Sequence, residues 1–352
     1  MKIDKRIWGR TSEGDDIHLF TMENVHGLKV QLSEIGAGIV SLWTQDRNGH
    51  FDDVVLGYAN ATDYLGDGPC MGKTPGRFAN RIAQGHFSIG DTSYQLDLNT
   101  AAGKHHLHGG DLGFANRKWH GEVVGNSVVF TYTSPDGEAG YPGKLTATVH
   151  YTLLETNSLQ VDMQATTDKP TIVNLTNHTY FNLKGEGSGD VLDHHLRIYA
   201  ERYLDTDEDL IPTGKLLPVV GTPMDFRKEK LIGQDIRADF DALRFGKGYD
   251  SCWVLETDDD GGALCMAAVL SHEGTGRVVG IATDQPGLQV YTGNWLEGCP
   301  LGKCGRQYHD YDGVALECQA LPDAPNHDNF PSAILLPGEI YKKSIKFYFL
   351  TA

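Results

Sequence analysis

The stretch LTATVHYTLLETNSLQVDMQA, residues 145–165, decides the fold class. Leu145, Ala147, Val149, Tyr151 and Leu153 alternate with Thr146, Thr148, His150 and Thr152. A period of two sets one face of a strand against a core and the other toward water. After the turn residues 155–157 the alternation resumes with Leu159, Val161, Met163 and Ala165, as the antiparallel partner in a hairpin does. Just upstream, SPDGEAGYPG (residues 134–143) gathers Pro, Asp and Gly into one connection and breaks the chain firmly.

Working outward, further alternating or apolar runs occur at residues 28–32, 39–43, 262–270, 277–283, 288–292, 314–318 and 340–350. The 42 glycines and 14 prolines are spread along 352 residues, which suits many short strands and turns better than a few long helices. One helix is predicted over residues 228–243, where Ile232, Ile236 and Phe240 recur every four residues. No low-complexity tract, fixed-period repeat or Pro/Gly/Ser-rich linker divides the chain. The expectation is one all-β domain over residues 1–352, a large antiparallel β-sandwich with a few short helices.

Forty-seven acidic against 30 basic residues give a net charge of -17, which repels phosphate backbones and anionic lipid and argues against nucleic-acid or membrane partners. The N-terminal MKIDKRIWGR has no apolar signal region, and no run approaches the length of a spanning helix, so a cytoplasmic protein is expected. Six irregularly spaced cysteines read as reduced thiols. His105, His106 and His108 form a histidine-rich turn with no carboxylate at ligand spacing, and no metal is expected there. The acidic run at residues 205–214 has Leu210 and Leu216 where a calcium loop needs glycine and glutamate.

The string NLTNHTYFNL, residues 174–183, carries the most chemistry. Alone, His178 reads as a core histidine. Its neighbours Asn174, Thr176, Asn177, Thr179 and Asn182 argue otherwise, because so many polar groups in a strand-like segment are costly unless they serve a pocket. Glu317, between Leu316 and Cys318, reads by itself as an outward residue of a half-exposed strand.

The 174–183 string resembles the signature of the aldose 1-epimerases, or mutarotases. Further segments resemble that family in the same order along the chain: GRFANRI (residues 76–82), LHGG (107–110), GYD (248–250), PGLQVYTGNWLEG (286–298) and GVALECQALPDAPN (313–326). The resemblance implies a galactose mutarotase-like supersandwich that interconverts the α and β anomers of free hexoses such as galactose and glucose. It implies His178 as general acid and Glu317 as general base, with Asn80, Arg81, His108, Asp250 and Gln289 holding sugar hydroxyls. Tyr180 or Trp295 would cover an apolar sugar face, no cofactor or metal would be needed, and the protein would be a monomer or weak homodimer. Cys318 departs from the family's usual Thr and puts the surroundings of Glu317 in question. With an unperturbed histidine pKa of about 6.5, roughly a quarter of His178 would be charged at pH 7, a fraction that a nearby Glu317 or Asp250 is expected to raise. Three rivals remain: a sugar-phosphate epimerase with extra cations, a non-catalytic carbohydrate-binding module, and a glycoside hydrolase pairing Asp250 with Glu317.

Overall fold

The computed structural model describes residues 1–256 and 263–352. The hairpin forms where the alternation predicts it: Leu145–Leu154 and Ser158–Thr167 pair antiparallel with Leu153 opposite Leu159. These strands sit within a nine-stranded antiparallel sheet that continues through Tyr341–Thr351, Arg277–Thr283 and Cys265–Ser271 to His195–Ile198 and Lys230–Leu231. The run expected at 262–270 begins on Gly262, which lies outside the described residues. The remaining runs all fall on strands.

A six-stranded antiparallel sheet is ordered Tyr180–Phe181, Val314–Gln319, Gly287–Tyr291, Asp250–Val254, Arg202–Thr206 and Pro212–Pro218. A five-stranded sheet is built from the first 53 residues, ending on Phe51–Asp53. Val149, Ile281 and Ile345 of the nine-stranded sheet share one buried cluster with Trp253, Val290 and Leu316 of the six-stranded sheet and Val30 and Leu42 of the third. That shared core makes the all-β sandwich, since each sheet must bury one face against another.

The helix expected over residues 228–243 does not form. Lys230–Leu231 pairs with the strand His195–Ile198, Ile232–Gln234 is a 3-10 turn, and only Asp241–Gly246 is α-helical. Gly233 explains part of this: its N–H donates to the Leu192 carbonyl at 2.8 Å, and a Cβ there would meet that same oxygen at 2.8 Å. Ile232 and Ile236 are buried as the spacing implied, but in successive turns laid over the sheet.

The strand Val314–Gln319 is buried at every position. Leu316 and Cys318 join the main core, while Ala315 and Glu317 face the opposite way. This two-sided burial positions the site.

Candidate active site

In an antiparallel ladder, directly opposed residues point to the same side of the sheet. The register sets Glu317 opposite Gln289 and Gln289 opposite Cys252, while Tyr291 lies between Ala315 and Asp250. One face therefore carries Glu317, Gln289, Tyr291 and Asp250 as a polar floor. Gln289 Nε2 donates to Asp250 Oδ1 at 2.6 Å. Arg81 Nη2 lies 3.7 Å from Asp250 Oδ2. Cys318 points away from Glu317 into the core, so the departure from Thr does not alter the floor.

His178 stands over this floor with Nε2 at 3.4 Å from Glu317 Oε1. It is not on a strand; the ladder begins two residues later at Tyr180–Phe181. The backbone is fixed instead by His178 N–H donating to the Lys73 carbonyl at 2.9 Å and Gly72 N–H donating to the His178 carbonyl at 3.0 Å. Its ring centroid lies 5.0 Å from Tyr180, 5.2 Å from His108 and 6.4 Å from Tyr291. Behind it, the fully buried Lys73 ammonium contacts the Asp67 carboxylate and donates to Tyr64 O at 2.7 Å and Asn116 Oδ1 at 2.9 Å.

The polar neighbours of His178 do not line the pocket as the sequence suggested; they bind backbone and one another. Asn174 Nδ2 donates to Ala79 O at 3.0 Å, and its Oδ1 accepts the Ala320 N–H at 2.8 Å. Thr176 Oγ1 donates to Cys318 O at 2.6 Å. Thr179 Oγ1 donates to Asn177 Oδ1 at 2.6 Å, and Asn182 Nδ2 donates to Asp312 O at 2.9 Å. Their hydrogen bonds offset the cost of burial by splicing the His178 segment to those bearing Asn80 and Glu317.

Asn80 and His108 face each other across a short ladder in which Arg81 and Ile82 pair with Leu107 and His106. Asn80 N–H donates to His108 Nδ1 at 3.1 Å, and His108 N–H donates to Asn80 O at 3.1 Å. Both residues have left-handed φ, 65° and 52°, a strained backbone of the kind concentrated at functional sites. The LHGG turn needs its first glycine: at Gly109, φ is 87° and a Cβ would lie 1.7 Å from the Gly76 carbonyl oxygen. Arg77, in the same segment as Arg81, is a structural anchor whose guanidinium is buried on Ser134, Pro135 and Pro142.

Burial dominates the electrostatics. It pushes the Glu317 carboxyl well above the usual carboxylate range, with Asp250 adding to the shift and Arg81 opposing it. It pushes His178 down to about 4, opposite to the rise expected from a neighbouring carboxylate, and Lys73 pushes the same way. Asp250 is also raised by burial, and His108 is driven well below the ordinary histidine value. Burial thus disfavours the charged form of both groups, the imidazolium and the carboxylate. No protein group among the described residues hydrogen-bonds His178 Nδ1 or Glu317 Oε2.

His108, His178 and Glu317 offer three donor atoms within 4.8 Å of one another. His108 Nδ1 already accepts the Asn80 N–H, so the neutral ring carries its proton on Nε2 and presents a donor. That suits a hydroxyl oxygen better than a cation.

All seven residues singled out from sequence lie at this one place. Sequence reasoning missed Tyr291, which completes the floor and is marked by its two-residue step from Gln289. It also missed Lys73 and Asp67, which carry no signal apart from their contacts. Of the two aromatic candidates, Tyr180 is buried against His178 with its hydroxyl on Pro69 O at 2.8 Å, whereas Trp295 is 62% exposed, outside the floor.

Comparison with known proteins gives a consistent result. Residues 18–348 match the family model described as Aldose 1-epimerase. The chain is 42% identical over 351 residues to a galactose mutarotase of Homo sapiens, covering 99% of both chains. It is 38% identical over 344 residues to an aldose 1-epimerase of Escherichia coli K12, covering 96% of both. Its fold matches the crystal structure of galactose 1-epimerase from Lactobacillus acidophilus with a TM-score of 0.86 at 29% identity, covering 100% of this chain and 99% of that one.

Proposed function

The chain belongs to the aldose 1-epimerase family and is an isomerase that interconverts the α and β anomers of aldoses, and we propose that Glu317 and His178 carry that reaction on free hexoses such as galactose and glucose. One observation above all supports this assignment: the carboxylate and imidazole stand side by side, 3.4 Å apart, with both groups buried. The anomeric hydroxyl oxygen and the ring oxygen are both bonded to C1, so their proton acceptor and donor must be neighbours.

In the reactive arrangement Glu317 is ionised and His178 protonated. Glu317 takes the C1 hydroxyl proton while His178 gives its proton to the ring oxygen. The bond from C1 to that oxygen breaks, and C1 becomes a carbonyl. The pair is left as neutral acid and neutral imidazole, the state burial favours. After rotation about C1–C2, His178 takes the proton of the attacking C5 hydroxyl and Glu317 returns its own to the C1 oxygen. The pair holds one proton throughout, and the cycle needs no cofactor or metal. Each group contributes ~10²–10⁴-fold by ordinary acid–base catalysis. Asn80, Arg81, His108, Asp250 and Gln289 hold the remaining hydroxyls and fix the C1 edge against the pair.

Free sugars fit better than phosphate esters. Among the described residues the nearby cations, Arg81 and Lys73, face Asp250 and Asp67, which leaves no spare charge for a phosphate. We place the enzyme in the cytoplasm as a monomer or weak homodimer, acting as one domain over residues 1–352. No described helix is long and apolar enough to cross a membrane, and the net charge of -17 disfavours nucleic acid.

Polarimetry on freshly dissolved α-D-galactose, α-D-glucose and glucose 6-phosphate tests the substrate assignment. Faster approach to the same final rotation for the free sugars, with at least ~10-fold less effect on the phosphate ester, is expected from the unpaired-charge argument. Preference for the ester, or no acceleration of either free sugar, would overturn it.

A further inference from the structure

Both backbone groups of His178 are held by one loop. Its N–H donates to the Lys73 carbonyl at 2.9 Å, and its carbonyl accepts the Gly72 N–H at 3.0 Å. Two residues on, the Tyr180 hydroxyl donates to the Pro69 carbonyl of the same loop at 2.8 Å. From Leu65 to Asn80 the chain forms neither helix nor strand, so no ladder fixes this support. Leu65, Gly66 and Gly68 are exposed, and the two glycines leave the backbone free to take many paths.

A buried ion pair supplies what a ladder would. The Lys73 ammonium and the Asp67 carboxylate are in contact, and both side chains are 0% exposed. The ammonium also donates to Tyr64 O at 2.7 Å and Asn116 Oδ1 at 2.9 Å. Asp67 Oδ2 accepts the Tyr58 hydroxyl at 3.1 Å and the Met71 N–H at 2.9 Å. The pair clamps the start of the loop to its end, and ties both to Tyr58 and Asn116 on separate segments. Charge is a costly filling for such a space, since apolar side chains of similar volume are often as stable. What apolar packing does not supply is direction: three ammonium donors on three fixed oxygens define one arrangement.

We propose that Lys73 and Asp67 are positioning residues for the epimerisation: their ion pair sets the loop that carries His178, and so holds its Nε2 at 3.4 Å from Glu317. This rests on the assignment of His178 as the acid. The Lys73 charge also acts on the ring directly. Around the imidazole stand Glu317 from the floor, His108 from the LHGG turn, Tyr180 and Tyr291 from two strands, and Lys73, Asp67 and Cys70 from the loop. Arg81 and Asp250 lie beyond Glu317. Burial first, and Lys73 with it, hold His178 down at about 4.

The test measures kcat and KM for α-D-galactose in wild type, Lys73→Met, Asp67→Asn, the double variant and His178→Asn, each below its melting temperature. In each single variant kcat should fall about tenfold or more, as for a misplaced catalytic group, while KM stays within about threefold because the sugar-holding residues sit on other segments. The double variant should lose no more than the worse single one, since the pair works as a unit. Lys73→Met should also move the acid limb of kcat/KM upward by about half a pH unit, a shift that loss of folded protein would not give. If a single variant strands a charge and does not fold, the double variant, which buries none, carries the test. Wild-type kcat in the folded double variant would overturn the proposal, and so would a double variant that fails to fold, which would tie the pair to the fold and not to His178. His178→Asn with wild-type kcat would instead remove the assignment beneath it.

Discussion

Asn174 joins the segments that carry His178 and Glu317: it lies four residues before His178, donates from Nδ2 to the Ala79 carbonyl next to Asn80, and accepts on Oδ1 the Ala320 N–H three residues beyond Glu317. One buried amide thus ties together the segments of the proposed acid, the proposed base and Asn80. Asn174→Ala would orphan two buried backbone groups, at ~1–3 kcal/mol each. The expected result is a lower Tm with a lower kcat and a higher KM. Asn174→Asp keeps an acceptor for the Ala320 N–H but replaces the amide donor that faces the Ala79 carbonyl. It should lose more in KM than in kcat. A lower apparent kcat with unchanged KM, tracking the loss of folded protein, would mean that the residue acts only through global stability.

On the proposed assignment, the pH dependence follows from a pair that must hold one proton. Below the His178 value both groups are protonated and no base remains; above the Glu317 value both are deprotonated and no acid remains. Because burial pushes His178 down to about 4 and raises Glu317, kcat/KM should stay on its plateau through pH 5–6 and fall on the acid side near pH 4. An acid limb above pH 6 in a buffered series with galactose would contradict this.

The raised carboxyl also affects stability, with a fixed sign. A group whose folded pKa lies above its unfolded value binds more protons when folded, so stability is lost as pH rises from the unfolded value of about 4.5 toward the folded one. Glu317→Gln removes that loss. Thermal melts should show the variant gaining on wild type between pH 5 and 8, and a constant Tm difference across that range would refute the shift.

Cys318 occupies the strand beside Glu317 but faces the core. Cys318→Ala should cost ~1 kcal/mol of stability, typical of a small core truncation, while kcat/KM on galactose stays within about threefold. A tenfold loss of kcat with unchanged KM would place the thiol in the chemistry after all.

The hairpin at residues 145–165 is legible because one of its faces is buried and the other wet, and period two survives in the residue types. The Glu317 strand is legible only as a short apolar run at residues 314–318, because it is buried on both sides, and the sequence does not show which of its faces carries the site. Its glutamate emerges from family resemblance, and its physical signature, an acid in a fully buried strand, appears only with the ladder. The Asn and Thr residues around His178 stand out for the right reason, the cost of buried polar groups, yet they satisfy backbone and not ligand. The four-residue spacing of Ile232, Ile236 and Phe240 reports packing of turns over the sheet and mimics a helix. The protonation of His178 departs from expectation because sequence shows a neighbouring charge but not the desolvation that outweighs it.

The most direct measurement is the excess rate of α-D-galactose mutarotation, by polarimetry, for wild type, Glu317→Gln and His178→Asn, each confirmed folded by its melting curve. Both variants should lose at least ~10²-fold of the wild-type excess, the lower end for acid–base catalysis, while final rotations stay equal. Either variant retaining wild-type kcat would contradict the central claim that this buried pair opens and closes the sugar ring.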